Sequence, residues 1–487
     1  MSALSESSQR QRTYGNWRRG QGAGLFGLGP LATVAAFVVM VISAALMAVS
    51  FQIGAVFAGL GLVALAPLAI RVNGRTGLQV LAARMAWWMG RSARQHVYFS
   101  GIASPVTDTH KLPGILARSQ LYEVDTGRVG RIAVVVVPQS RHYTVTLRCA
   151  PEGTDLVDQP VIDARVARMA SWLSSLCREP MLVQAQVSVE TTPDPGTALA
   201  NEVASTTRSD APALARQVLN EVVRSYPGGS AKVDTLVSLT FSPPAARRWT
   251  HEEMCREVAA RLPHLHAGLT GAGGSAIMPL TADGLMRVVR GAYDPAVNHD
   301  LELHPDATMD WSQVGPVAAR EAWDFYRHDS GVSRTWGMSE APRGVVFSNL
   351  FGRLSEPDPD FLRKRTTIVY RPYGAAEAAR LVESDKRDAR FTASKKPQPS
   401  ARDLADVAAA EQAATEEATG AGMIRFTVLV TATVRSEEEL DEANSVIRSR
   451  AGESRLSLRP MYGCQAAAFA AGLPVGVVLT AHATIPY

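Results

Sequence analysis

The sequence predicts a membrane α-helical hairpin followed by an α+β cytoplasmic region of mixed sheets and helices. Three observations carry that prediction. From Leu31 to Val49 the chain reads LATVAAFVVMVISAALMAV, and from Ile53 to Ile70 it reads IGAVFAGLGLVALAPLAI, both without a charge. Each run approaches the ~20 apolar residues that cover ~30 Å of hydrocarbon as a helix, and a helix satisfies its own backbone there. Arginines flank the pair: Arg10, Arg12, Arg18 and Arg19 before it, then Arg71, Arg75, Arg84, Arg91 and Arg94, with no acid until Asp108. Beyond them, β-branched runs alternate with helical periodicities without a strict βαβ rhythm, which points to α+β.

The basic flanks set an orientation. Positive residues stay on the cytoplasmic side, so both termini are expected there, with the Ser50–Gln52 turn facing outward at a multi-pass inner membrane. A cleaved signal peptide is not expected, because a second apolar run follows the first directly. The alternative of two buried core helices would call for a polar stripe, and neither run has one.

The divisions follow. Residues 1–28 form a basic tail, 29–72 the hairpin, 73–95 a juxtamembrane amphipathic helix, and 96–314 an α+β domain. Residues 315–487 form a second α+β portion, with an Ala/Glu-rich insertion at 389–422. In the tail, Tyr14 and Trp17 stand beside arginines and suit an interfacial anchor. Leu78, Leu81, Met85 and Trp88 recur at helical spacing with arginines elsewhere on the turn, placing Trp87 and Trp88 at headgroup level. The other reading of that segment is an ordinary core helix.

Further along, Arg131–Pro138 and His142–Ala150 are β-branched runs joined through Gln139-Ser140-Arg141, a hairpin pattern. Val161–Cys177 is helical and Met181–Thr192 alternates as a strand with one wet face. Ala211–Tyr226 is a helix ended by Pro227-Gly228-Gly229, and Lys232–Ser242 is a strand. Thr250 with Glu253 three residues on makes a capping box. Strands are expected at Arg334–Met338, Gly344–Leu350 and Arg365–Tyr370, a helix at Ala375–Asp388, and a strand at Met423–Val434. A helix is expected to start at Ser436 and run to Arg450. Ser394–Gly422 reads as an exposed helix after a loop or as a flexible insertion. No repeat of fixed period is visible.

The 487 residues carry a formal net charge of +4, too mild to imply nucleic-acid binding by the whole chain. The basic excess lies around the apolar segment, where anionic lipid is the simpler partner. Four cysteines, Cys149, Cys177, Cys255 and Cys464, stand far apart with no CxxC pair, which argues against a zinc site.

A search for catalytic constellations finds little. No phosphate-loop motif exists; Gly268–Gly274 (GLTGAGG) lacks the following Lys and reads as a loop. His264 with His266, and His299 with His304, lack a third metal ligand in register and read as polar loop residues. The Arg363-Lys364-Arg365 run reads as a solvated strand start. No cofactor, metal or catalytic residue is expected.

One resemblance rests on the C-terminal passage. There a strand (Met423–Val434) and an acidic-capped helix lead to Gln465-Ala466-Ala467-Ala468-Phe469-Ala470-Ala471-Gly472-Leu473-Pro474. This resembles the segment before the nucleotide-binding domain in the motor ATPases of conjugation and type IV secretion, where a Gln, an Ala-Phe pair and a Leu-Pro occur in that order. Arg334–Val346 is similar to the same family's strand and proline turn. The N-terminal part looks like the PrgI-type small membrane proteins of Gram-positive conjugation machines, and the combination resembles actinobacterial membrane proteins of such systems. The phosphate loop that continues the motor family is not matched.

What the resemblance implies is a non-catalytic inner-membrane subunit, oligomeric within a membrane complex, that binds the lipid bilayer and docks a separately encoded cytoplasmic ATPase. Gln465, Phe469, Leu473 and Pro474 are the docking candidates; the other reading of Phe469 and Leu473, four apart on one helical face, is core of this domain. The competing expectations are a type VII secretion accessory subunit and a membrane-anchored enzyme acting on a lipid-linked substrate.

Overall fold

The computed structural model describes residues 14–15, 30–69, 71–72, 75–104, 112–127, 130–153, 156–194, 197–208, 210–225, 231–342, 345–394 and 398–482. The N-terminal elements are β1 (Tyr14–Gly15), α1 (Pro30–Val49), α2 (Phe51–Ala69), β2 (Arg71–Val72), β3 (Arg75–Thr76), α3 (Gly77–Ser92) and β4 (Val97–Phe99).

The two apolar runs do form a helical hairpin, but the expectation of a transmembrane one is not upheld. Among the described residues no helix is long and apolar enough to cross a membrane. The multi-pass membrane assignment, with the topology that followed from it, is therefore withdrawn. Close packing holds the hairpin: a Cβ on Gly54 would sit 2.5 Å from the Met47 backbone nitrogen. Its outer surface is apolar, with Val34, Phe37, Met40, Phe51, Ile53, Val56, Leu60, Leu62 and Val63 exposed.

Two successive stretches of the remaining chain build the same unit. The first runs β5 (Gln120–Asp125), β6 (Arg131–Val137), β7 (His142–Pro151), α4 (Gln159–Leu176), β8 (Leu182–Pro193), α5 (Thr197–Thr206), α6 (Ala213–Ser225), β9 (Ala231–Phe241), α7 (His251–Gly271), β10 (Gly274–Pro279) and α8 (Ala282–Tyr293), then α9 (Asn298–Leu303). The second runs β11 (Ala318–Glu321), β12 (Tyr326–His328), β13 (Gly331–Glu340), β14 (Val345–Val346), α10 (Gly352–Ser355), β15 (Arg363–Tyr373), α11 (Ala375–Ser394), α12 (Ala401–Ala418), β16 (Met423–Val434), α13 (Leu440–Glu453), β17 (Ser457–Pro460) and α14 (Gln465–Gly472), then α15 (Leu479–His482). In each unit three strands in a meander are followed, after the extra two-residue β14 in the second, by a helix, a strand, an inserted helix pair, a strand, a helix, a short strand and a last helix.

Pairing repeats as well. The sheet has thirteen strands in the order β4-β11-β12-β13-β16-β15-β8-β9-β7-β6-β5, with β10 against β7 and β17 against β13. Pro279 pairs with Leu147 and Pro460 with Trp336. The next residues, Leu280 and Met461, donate their N–H groups to the carbonyls of Thr146 and Thr335, each at 2.9 Å. A duplication is therefore present although no period shows in the sequence, because the loops and insertions of the two units differ in length. The expected boundary near residue 315 falls between the units, but antiparallel pairing of β8 with β15 makes the sheet continuous across it.

The sheet has two unlike faces. On one, α4 and α7 cover the first unit around Val134, Val145, Leu239, Trp172 and Val258. There α10 and α13 cover the second around Trp336, Val430, Leu354 and Ile447. The other face is covered by α8, α14 and the residues that follow each. It is apolar at its flanks, with Val135, Leu285, Val289, Tyr293 and Phe469, and polar along its middle. Burial on both faces explains why β8 has no wet side: its alternation separates an apolar row from a buried polar row, both covered.

Smaller differences have local causes. The strand expected over Gly344–Leu350 shrinks to the two residues of β14, paired with β1. The helix expected from Ser436 begins at Leu440, because the Glu439 carboxylate accepts from the Arg435 N–H and closes a turn there. His264 and His266 lie within α7 rather than in a loop. Residues 401–418 of the Ala/Glu-rich insertion form α12, whose Ser400 and Asp403 make a capping box. The box expected at Thr250 and Glu253 is present. Pro227 to Gly229, expected to end a helix, lie outside the described residues.

Candidate functional site: the buried polar face and the two helical arms

The polar row is built from strand periodicity. Side chains two apart share a face, so Thr144 and Thr146 of β7 meet Thr240 and Ser238 of β9, with oxygen–oxygen distances of 3.1 and 2.9 Å. In the second unit Ser333 and Thr335 of β13 meet Thr433 and Thr431 of β16 at 2.7 and 2.9 Å. The same register brings Gln184 and Gln186 of β8 beside the first set and Arg363 and Arg365 of β15 beside the second. Ser188 and Thr367, paired across β8 and β15 and 3.1 Å apart, occupy the pseudo-twofold axis that relates the units.

What covers each half differs. Over the first lies the segment after α14. Thr146 donates to the Pro474 carbonyl at 2.7 Å, Gln186 to those of Leu473 and Gly472, and Gln184 to that of Val477. Gly476 has φ +68°, and a Cβ there would lie 2.0 Å from Thr144 Oγ1. Glycine is required on both counts. Over the second half lies the segment after α8: Pro295 packs near Gly331, and Asn298 accepts from Arg363 at 3.0 Å.

The Arg363-Lys364-Arg365 run is not a solvated strand start. All three side chains are buried. Arg363 and Arg365 both reach Glu190 of β8, Arg365 Nε at 2.6 Å. Burial acts to raise the Glu190 carboxyl, but the two guanidinium groups outweigh it and hold it below its ordinary value. Lys364 points to the opposite face and donates to the Glu356 carbonyl; burial pushes its ammonium down to about 8. The signal that could have located this cluster is Glu190 itself, a lone acid in an otherwise uncharged strand.

An aromatic group sits beside it. His328 is fully buried among Tyr293, Tyr326 and Phe469, with ring centroids 4.8 to 6.2 Å from its own. Its Nδ1 lies 2.5 Å from the Tyr293 carbonyl, which can only accept, so Nδ1 carries the proton and Nε2 accepts from Ser333 at 2.7 Å. Burial pulls this imidazole down to about 4. Among the described residues no group of three or more His, Cys, Asp or Glu could hold a metal ion.

The expected docking residues lie inside this core. Gln465 is buried, and its amide accepts from the Thr335 N–H at 2.8 Å and donates to the Thr335 carbonyl at 3.2 Å. It fills the gap between the end of β12 pairing at Ser333 and the start of β17 pairing at Trp336. Phe469 and Leu473 are 1% and 0% exposed, and Pro474 gives its carbonyl to Thr146. These four hold the C-terminal segment against the sheet and present no free surface.

The expected membrane-interface residues separate. Tyr14 pairs with Val346 in a two-stranded ribbon, and Trp17 lies outside the described residues. Trp87 is turned inward, edge-on to Trp323 at 5.9 Å, and Trp323 stacks on Tyr462 at 6.0 Å. Trp88 is 70% exposed.

The two inserted helix pairs form arms. Each follows one of the central strands, β8 or β15, and these run antiparallel, so the arms leave the sheet at opposite ends. In the second arm α11 and α12 pack together, burying Ala389, Ala393 and Ala410 and pairing Arg390 with Glu411 at 2.6 Å. In the first, α6 buries no residue and exposes Leu214, Val218, Leu219 and Val222 along one face.

The architecture is thus a duplicated α+β unit sharing one antiparallel sheet. Its N-terminal part, residues 21–79, matches a family described as a domain of unknown function (DUF8461), covering the α1–α2 hairpin and the start of α3. No curated protein matches the chain.

Proposed function

We propose that the protein is a non-catalytic scaffold that docks a separately encoded ATPase of the conjugation or secretion kind. The observation that carries an interaction role is α6, a helix whose apolar face of Leu214, Val218, Leu219 and Val222 stands exposed among the described residues, whereas its equivalent arm is a closed helix pair. An amphipathic helix of this kind is a surface for a partner helix or groove. The partner class comes from the resemblance of the Gln465–Pro474 passage to the motor ATPases.

The buried polar groups support the same reading, since Glu190, Arg363, Arg365, Gln186 and the paired hydroxyls are engaged in holding strands and covering segments together.

The test is purification of the full chain from its native cells, with any associated ATPase identified by its own nucleotide hydrolysis. Val218→Asp, at an exposed position, should leave thermal unfolding unchanged and abolish association with that ATPase. Retention of the ATPase by Val218→Asp and Leu214→Asp, or hydrolysis of ATP by the isolated chain, would overturn the proposal.

A further inference from the structure

We propose that α3 lies in the plane of a lipid surface bearing anionic headgroups, with its apolar stripe toward the acyl chains and its arginines at headgroup level. No crossing of the bilayer is involved. At 3.6 residues per turn, Leu78, Leu81, Met85, Trp88 and Met89 fall within about 100° of arc, and all five are 47 to 70% exposed. Trp87 lies on the other side of the helix, held by Trp323 of the body. The body therefore fixes which face of α3 looks outward.

The charge pattern selects the occupant. α3 contains Arg84 and Arg91 and no acid, and Arg94 follows it. On the helical wheel Arg84 and Arg91 flank one edge of the apolar stripe; the Arg84 guanidinium lies over the Trp323 ring of the body at 5.8 Å, so Arg91 and Arg94 are the ones left for headgroups, as in an interfacial helix on anionic lipid. A second copy of α3 on this face would bring arginines against arginines, which opposes self-pairing. Nucleic acid would take the arginines but leave the stripe uncovered. α3 also packs closely on α2, whose exposed residues are themselves apolar: a Cβ on Gly77 would sit 2.8 Å from the Pro67 carbonyl oxygen.

The test uses the full chain in flotation with two vesicle compositions, phosphatidylcholine alone and phosphatidylcholine with one quarter phosphatidylglycerol. Wild type should bind the anionic vesicles more tightly. Arg91→Gln with Arg94→Gln should weaken that binding on the order of fivefold per arginine and remove the preference for phosphatidylglycerol. Leu81→Glu with Trp88→Glu should reduce binding at least about tenfold on either vesicle. Because α1 and α2 are also apolar, the α3 variants decide the matter. Unchanged binding by both pairs, or concentration-dependent self-association that α3 substitutions abolish while vesicle binding persists, would overturn it. A second readout is independent of those substitutions' folding. Brominated phosphatidylcholine should quench wild-type tryptophan fluorescence more than that of Trp88→Leu, and equal quenching would count against the contact.

Discussion

The two units of the sheet share strand order, pairing and even their hydroxyl pairs, yet one is closed over neutral side chains and the other over charges. In the first, Gln184 and Gln186 donate to the backbone carbonyls of residues 472–477. In the second, the equivalent places hold Arg363 and Arg365, which require an anion and find it in Glu190, contributed by the first unit. A backbone segment offers carbonyls, which satisfy an amide or hydroxyl donor but leave two buried guanidinium charges uncompensated. The two units thus share one strand pairing, while guanidinium groups in place of amides alter what must cover the sheet. It also ties the units together, since the ion cluster crosses the β8–β15 junction.

The largest expected effect breaks that asymmetry. Glu190→Gln should cost about 3–5 kcal/mol by leaving two buried arginines without a counter-charge, read as a shift in urea midpoint. Combining Glu190→Val with Arg363→Gln and Arg365→Gln makes the second unit resemble the first, Val369 being the equivalent of Glu190. This variant should recover most of the loss. If it is no more stable than Glu190→Gln alone, the ion cluster does not account for the difference between the halves.

A pH titration sharpens the same comparison, because the second unit buries the neutral His328. Its folded value of about 4 lies below the ordinary 6.5. The folded protein therefore binds fewer protons than the unfolded chain between those values. The associated stability is complete above about pH 6.5 and is lost as pH falls toward 4. The full loss is about 3 kcal/mol at 1.36 kcal/mol per unit. His328→Gln should reduce the dependence of stability on pH in that window, leaving the part due to His142 of the first unit, which burial also pulls down to about 4; an unaltered slope would assign it elsewhere.

Gly476→Ala probes the cover of the first unit. The left-handed backbone and the clash with Thr144 and Thr240 should together cost about 2–3 kcal/mol, measured by thermal unfolding. A smaller effect is expected from Thr146→Val, about 1–2 kcal/mol from the unsatisfied Pro474 carbonyl. Thr335→Val in the second unit removes a hydroxyl pair but no donor to a covering carbonyl, so it should cost less. A reversal of that order would show that the two hydroxyl rows do not differ as their covers suggest.

Much of the local structure was legible because it depends on neighbours in sequence. The β-branched runs at 131–137, 142–151, 231–241 and 423–434 became strands, and the capping residues at Thr250 and Glu253 acted as their spacing indicates. The apolar run from Leu31 gave a helical hairpin, though among the described residues no helix is long and apolar enough to cross a membrane. The stretch at Gln465–Pro474 was legible as a helical face that could be either a docking surface or core, and the structure makes it core. Whether Phe469 faces solvent or His328 depends on residues more than a hundred positions away.

By itself the sequence determined where helices and strands form, because periodicity, caps and β-branching act over a few residues. Only the tertiary structure decided that two units share one sheet, that a basic tripeptide is buried, and that Trp87 and Trp88 face opposite ways. The physical reason is that a charge or an aromatic ring is placed by its partner. Glu190 lies 173 residues before Arg363, and Trp323 is still more remote from Trp87, so no local pattern carries the pairing.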